Sequence, residues 1–193
     1  MTFSANKPAY SSQPSGLRRT SGLTGRRANG HMSLRYKFNR AQQIVEALNS
    51  IDGAALNEIG RSIQMAEQNL SAAASDLLTL CSTKCRGLCC RNVYPDELIT
   101  LTDAVLILSR AGSMGETIFE CAENESLFTA NCVFLKNGNG PCMFPPGTKP
   151  HKCIATFCGN TGPVRQELRA LRSRFNTLFR FMLFKKPGLV LGF

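Results

Sequence analysis

The stretch Cys81-Ser-Thr-Lys-Cys85-Arg-Gly-Leu-Cys89-Cys90 decides how the rest of the chain is read. A second cysteine group follows, Cys132, Cys142, Cys153 and Cys158, spread over 27 positions rich in Gly and Pro. Thiolate sulfur is a soft ligand, suited to zinc and to iron–sulfur clusters. A metal site needs three or four converging ligands, and close spacing in one loop supplies some while distant segments supply the rest. Such loops have little hydrophobic core, so a crosslinking metal would give them order. The candidate ligands are therefore Cys81, Cys85, Cys89, Cys90, Cys132, Cys142, Cys153 and Cys158, and the cofactor they imply is zinc or an iron–sulfur cluster. Core thiols and disulfides are the competing readings. Cys89 and Cys90 are adjacent, and neighbours in an extended segment point to opposite faces. The pair feeds two sites, or the loop bends, or one member is structural. Cys121 lies outside both groups and reads as a buried or free thiol.

Working outward, 193 residues allow one domain with a modest core plus tails. Residues 1–33 lack the apolar run of a secretory signal. Without export a disulfide framework is disfavoured, and the expected location is cytoplasmic. No apolar stretch approaches the roughly 18–20 residues that a membrane-spanning helix needs. Charge is unevenly placed. Residues 1–40 hold eight Lys/Arg and no acid, residues 41–160 hold eight bases and twelve acids, and residues 161–193 hold seven bases and one acid. The net +10 therefore belongs to the two ends. Those ends suit a weak contact with an anionic surface, beside an unidentified protein partner, and do not describe a DNA-binding domain.

Residues 1–33 are Ser-, Gly-, Pro- and Arg-rich and are expected to be a disordered basic tail, with a nucleic-acid or membrane-surface contact and a transit peptide as the other readings. Residues 39–80 read as a helical hairpin. Ala41, Ile44, Val45, Leu48 and Ile51 fall at helical spacing, Asp52-Gly53 breaks the run, and Leu56, Ile59, Ile63, Ala66, Leu70, Ala73, Leu77 and Leu78 continue it. Residues 81–160 make the cysteine-cluster metal-binding domain. Within it Ile99-Thr100-Leu101 reads as extended, Thr102 or Asp103 as the cap of a short helix through Leu108, and Gly112 as its stop. Cys132–Leu135 and Cys142–Phe144 read as two short strands joined by the turn residues Asn137-Gly-Asn-Gly140. Residues 161–193 read as a basic amphipathic helix, from about Pro163 to Lys185, and a tail. The expected fold is thus α+β: a small irregular cysteine-rich metal domain with a short β-hairpin, flanked by an N-terminal α-hairpin and a C-terminal helix.

Cys85-Arg-Gly-Leu-Cys89-Cys90, Ile99-Thr-Leu-Thr-Asp103, Cys132-Val-Phe-Leu135, Cys142-Met-Phe144, Lys149-Pro150, Cys153 and Phe157-Cys158 together resemble the cysteine-cluster family. That family is described as a zinc- or iron-chelating domain and is named for its C-x-x-C-x-x-C-C motif. It includes small bacterial proteins and is related to the cysteine domain of flagellin lysine methylases. The resemblance spans about residues 81–158 and implies metal binding. The spacing here is C-x3-C-x3-C-C, so Cys81 departs furthest from the motif. Phe144 stands for a tyrosine, and Lys149-Pro150 for Arg-Pro, which removes a planar fork of donors.

No Ser/His/Asp or Cys/His constellation has a supporting pattern, so no complete catalytic site is expected. Asp103 reads as a cap, Glu116, Glu120, Glu123 and Glu125 as solvated surface, and His151 as an exposed loop residue rather than a ligand. The functions that remain are a structural or redox thiolate centre, an iron–sulfur accessory domain assisting methyl transfer or oxidation, and a metal carrier or interaction module.

Overall fold

Ser33 sets the start of the first helix: its hydroxyl accepts the Tyr36 N–H at 3.3 Å. Helix α1, Leu34–Glu46, buries Leu34, Phe38, Ala41 and Ile44 at helical spacing. The structure is a computed structural model that describes residues 32–80, 83–84, 93–110, 112–123, 131–136 and 141–192. The expected tail at 1–31, the ligands Cys81, Cys85, Cys89 and Cys90, and the turn at 137–140 lie outside the described residues.

The chain turns at Ala47–Asn49, before Asp52-Gly53, because the Asn49 side chain accepts the Asp52 N–H at 2.8 Å and opens α2, Ser50–Ala73. Ile51, expected on the apolar stripe, sits in that first turn and is 78% exposed. Helix α2 buries Leu56, Ile63, Ala66 and Leu70. It ends at Ala74, and α3, Ser75–Leu80, follows. Ala73 and Leu78 are exposed, and Ala74 takes the buried place. The later helices are α4 (Pro95–Leu98), α5 (Leu101–Arg110), α6 (Gly115–Glu123), α7 (His151–Ala155), α8 (Arg165–Lys185) and α9 (Pro187–Leu191). Gly112, with φ +50°, follows the end of α5 in the left-handed region that favours glycine.

The α+β expectation is overturned. The described residues are mostly helical and contain no strand. The expected hairpin shrinks to one isolated antiparallel bridge, Leu135 to Cys142. Beside it the Met143 N–H donates to the Phe134 carbonyl at 2.9 Å and the Lys136 N–H to the Pro141 carbonyl at 3.1 Å. Pairing stops there for two reasons. The Leu135 N–H turns back onto the Cys132 carbonyl at 3.0 Å, which makes 132–135 a turn. Pro141 has no N–H to donate.

Helix α5 is the centre of the packing, with Ala104, Val105, Leu106 and Ile107 all at 0% exposure. Such all-round burial belongs to a helix enclosed by others. The two N-terminal helices do not serve as each other's main partner: α1 packs chiefly on α5, and α2 on α8. On α8, Leu171, Phe175, Leu178 and Met182 face inward, as their spacing predicts. Phe38 meets Phe119 at 6.0 Å and Phe134 at 6.3 Å between ring centroids, and Phe134 meets Phe144 at 4.6 Å. The second cysteine segment therefore shares one hydrophobic cluster with the helices. Phe144 is buried and, unlike a tyrosine, has no hydroxyl to satisfy.

The C-terminus is stapled down. Lys185 pairs with Asp52 at 2.8 Å, and Arg40 donates to the carbonyls of Leu189 at 2.6 Å and Gly188 at 3.0 Å. Among the described residues no helix is long and apolar enough to cross a membrane.

Candidate metal centre

Buried polar groups hold the cysteine-bearing loops against the helices. Thr100 caps α5: the Asp103 N–H donates to its hydroxyl at 3.2 Å, and the Asp103 carboxylate accepts the Thr100 N–H at 2.8 Å. This is a reciprocal capping box, so Thr100 is the cap and Asp103 its partner in the first turn. The other Asp103 oxygen accepts the His151 N–H at 2.7 Å and so hooks the start of α7 to the start of α5. Burial raises the Asp103 carboxyl above the usual carboxylate range, against the pull of these hydrogen bonds. At the other side, buried Lys37 donates to the carbonyls of Asp96 and Ile99, and the Asp96 carboxylate accepts the Leu34 N–H at 3.1 Å. These bonds fix α4 against α1.

Glu67 anchors the segment between Cys142 and Cys153. Its carboxylate accepts the Gly147 N–H at 2.6 Å and lies 3.9 Å from the Lys149 ammonium. Gly147 has φ +81°, and an added Cβ would stand 2.8 Å from the Gln64 side chain, so glycine is required there. Lys149 meets Glu67 as a point charge, which replaces the forked contact an arginine would make.

Burial raises the Glu67 carboxyl above its ordinary value of 4.5, with the Gly147 hydrogen bond and Lys149 opposing. The folded state then holds this proton more tightly than the unfolded chain. Its contribution to stability is greatest below 4.5 and declines as pH rises towards the raised folded value. Glu67→Gln keeps an acceptor for Gly147 and is expected to remove that part of the decline. Urea unfolding of both proteins across this window measures it, and identical pH profiles would contradict it.

The loops so held enclose a cavity of about 230 Å³. Cys132, Cys142 and Cys153 line it together with Lys149 and Lys152. Its apolar wall comes from Pro95, Leu98, Ile99, Leu135 and Phe144. Lys152 also donates to the Glu97 carbonyl at 2.7 Å, which ties α7 to α4. Three cysteines from separate turns thus share one space. Burial raises the Cys132 thiol, with neighbouring Cys142 and Cys121 adding to the shift. Cys142, like Cys153, is exposed on the cavity's open side, yet the protein packed around it still raises its thiol, with Lys149 opposing and Glu67 reinforcing. Cys132 and Cys142 are therefore protonated thiols near neutral pH in the absence of a metal, and a metal would have to displace those protons.

Cys158 is exposed and does not line the cavity. Its neighbour Gly159 lies against Leu77 of α3, where an added Cβ would stand 2.9 Å from the leucine methyl. Cys121 is half-buried on α6, and burial and Glu120 raise its thiol. His151 is not an exposed loop residue: it starts α7, is half-buried, and sets its ring 4.9 Å from that of Phe175. Burial lowers the imidazole, against the pull of Asp103.

The donor chemistry suits a thiolate centre, while the geometry is partial. Three thiols line one cavity, yet among the described residues no three His, Cys, Asp or Glu side chains are grouped closely enough to hold an ion. Sequence reasoning missed Glu67 and Lys37 as positioning residues. The signal at Glu67 was a carboxylate between Ile63 and Leu70 on the apolar face of α2. At Asp103 it was the pattern Thr100-x-x-Asp103. No family model, curated protein or solved structure matches the chain.

Proposed function

We propose that this protein binds metal through cysteine thiolates, as zinc or as an iron–sulfur cluster, at the cavity lined by Cys132, Cys142 and Cys153. The observation that carries this is the meeting of those three cysteines, 10 and 11 positions apart in sequence, around one space bordered by two lysines. Lys149 and Lys152 favour the negative charge that a thiolate centre accumulates. Both flanks of the first group support its participation. Val93, three positions after Cys90 in sequence, lies on the cavity wall. Gly159, next to Cys158, touches Leu77 four positions before Cys81. Cys81, Cys85, Cys89 and Cys90 would then complete the donor set.

When bound, zinc would hold the loops together, and an iron–sulfur cluster would add electron transfer. Asp103 and Glu67 position the segments that carry the thiols, and Lys37 the α4 segment that forms part of the cavity wall. The resemblance to the cysteine-cluster family points the same way, and a reducing cytoplasmic setting would keep the thiols available. Metal analysis with a visible absorption spectrum, on protein purified without air, tests the proposal.

A further inference from the structure

The outward face of α8 has a composition that the metal centre does not use. Arg165, Arg169, Arg172 and Arg180 are all exposed, opposite the buried Leu171, Phe175, Leu178 and Met182. At 1.5 Å per residue the arginines extend over about 22 Å. The one acid of residues 161–193, Glu167, keeps one carboxylate oxygen buried away from solvent. Lys185 is engaged with Asp52, so the remaining positive charge of this region is that of the arginines, Arg174 included, and of Lys186. The C-terminal end of the same region exposes large apolar groups: Phe179 at 44%, Phe184 at 80% and, from α9, Leu191 at 54%. Arg40 fixes α9 in place by its bonds to Leu189 and Gly188, so this apolar end is held by the fold.

We propose that this face docks on the surface of an anionic lipid bilayer. The arginines would lie over the headgroups, and Phe184 and Leu191 would enter the headgroup–acyl boundary. Two observations favour lipid over nucleic acid. Of the exposed aromatics, Phe179 precedes Arg180 and Phe184 follows it, and none stands among Arg165, Arg169 and Arg172, where a stacking platform for successive bases would need them. Leu191 has no π-face to offer a base but gains from leaving water at a lipid boundary. The helix itself stays packed on α2, so the contact is peripheral.

The test is co-sedimentation of the full chain with vesicles of phosphatidylcholine alone, or mixed with phosphatidylserine, at low and high salt. Binding is expected to the mixed vesicles only and to weaken with salt. Each arginine near an anionic leaflet raises partitioning roughly fivefold, so replacing all four by glutamine is expected to reduce it by more than about a hundredfold. Phe184→Ser should reduce vesicle binding severalfold and leave binding to a single-stranded DNA oligonucleotide unchanged. All these side chains are exposed, so an unchanged melting temperature verifies the fold of each variant. Unaltered vesicle binding in the four-arginine variant would place the contact elsewhere, on the basic N-terminal residues, and overturn the proposal. Stronger binding to the oligonucleotide than to vesicles, lost with the arginines, would assign the face to nucleic acid and overturn it equally.

Discussion

Cys142→Ser is expected to lower the bound metal and the melting temperature together. Serine keeps the size of the side chain but replaces a soft, ionisable thiol with a hydroxyl that stays protonated, so a ligand is lost with little change in packing. Cys142 shares its cavity with Cys132 and Cys153, and its segment is pinned to α2 through Gly147 and Glu67. A metal that binds only the folded chain stabilises it by mass action, and apparent binding energies for structural zinc run to about 10–16 kcal/mol in small domains. The variant is therefore expected to melt well below the metal-loaded protein and close to the metal-free one. Cys90→Ser is expected to behave alike if, as proposed, both cysteine groups serve the same centre. Cys121→Ser should change neither quantity. The measurements are metal content per chain and thermal melting, with and without a chelator. Equal metal content in wild type and Cys142→Ser would remove Cys142 from the ligand set, and metal loss in Cys121→Ser would show the set to be misassigned.

Leu106→Ala is expected to damage the helical core severely. Leu106 lies on α5 at 0% exposure, and its side chain comes within 3.6 Å of the position that a Cβ on Gly60 of α2 would occupy. Removing a leucine from such a site costs about 3–5 kcal/mol in lost burial and residual cavity. That is a large share of the roughly 5–15 kcal/mol that holds a folded domain. At about 2–4 °C per kcal/mol for a chain of this size, the melting temperature should fall by roughly 6–20 °C. Ile51→Ala, at a position 78% exposed, is the control and should shift stability by no more than about 0.5 kcal/mol. A similar small loss for both variants would mean that α5 is not the centre of the packing.

The helical part of the fold was legible where an apolar stripe met a clean periodicity. Leu56, Ile63 and Leu70 on α2, and Leu171, Phe175, Leu178 and Met182 on α8, are buried as their spacing indicates. The errors have local causes. A start near Asn39 missed Leu34 and Phe38, although Ser33 caps the helix that buries them. Reading Asp52-Gly53 as a break overlooked Asn49, whose side chain opens a helix that contains both residues. Residues 115–123 interleave three acids with Ile118, Phe119, Cys121 and Ala122, and the two buried positions one turn apart, Ile118 and Ala122, place α6 against the core. The hairpin was inferred from turn chemistry and apolar flanks. Those signals cannot register that residues 132–135 fold back as a turn, or that Pro141 withholds a hydrogen bond from the ladder.

The candidate site was legible as a list of residues and much less as a place. Cysteine spacing brought Cys132, Cys142 and Cys153 forward, and all three line the cavity, whereas Cys158 does not. What sequence could not supply was the scaffold. Asp103 reaches 48 positions along the chain to His151, and Glu67 reaches 80 to Gly147. Contacts of that range follow from tertiary packing and leave no short pattern. His151 shows the same limit: its ring is set by Phe175 of α8, so neither its own neighbours nor its loop predicted its burial.

The most direct measurement is metal analysis, with a visible absorption spectrum, of protein purified without air. The account predicts stoichiometric metal: either zinc in colourless protein, or iron with inorganic sulfide and visible absorption from sulfur-to-iron charge transfer. Protein with no bound metal, whose clustered cysteines titrate as unligated thiols or as disulfide pairs, would contradict it.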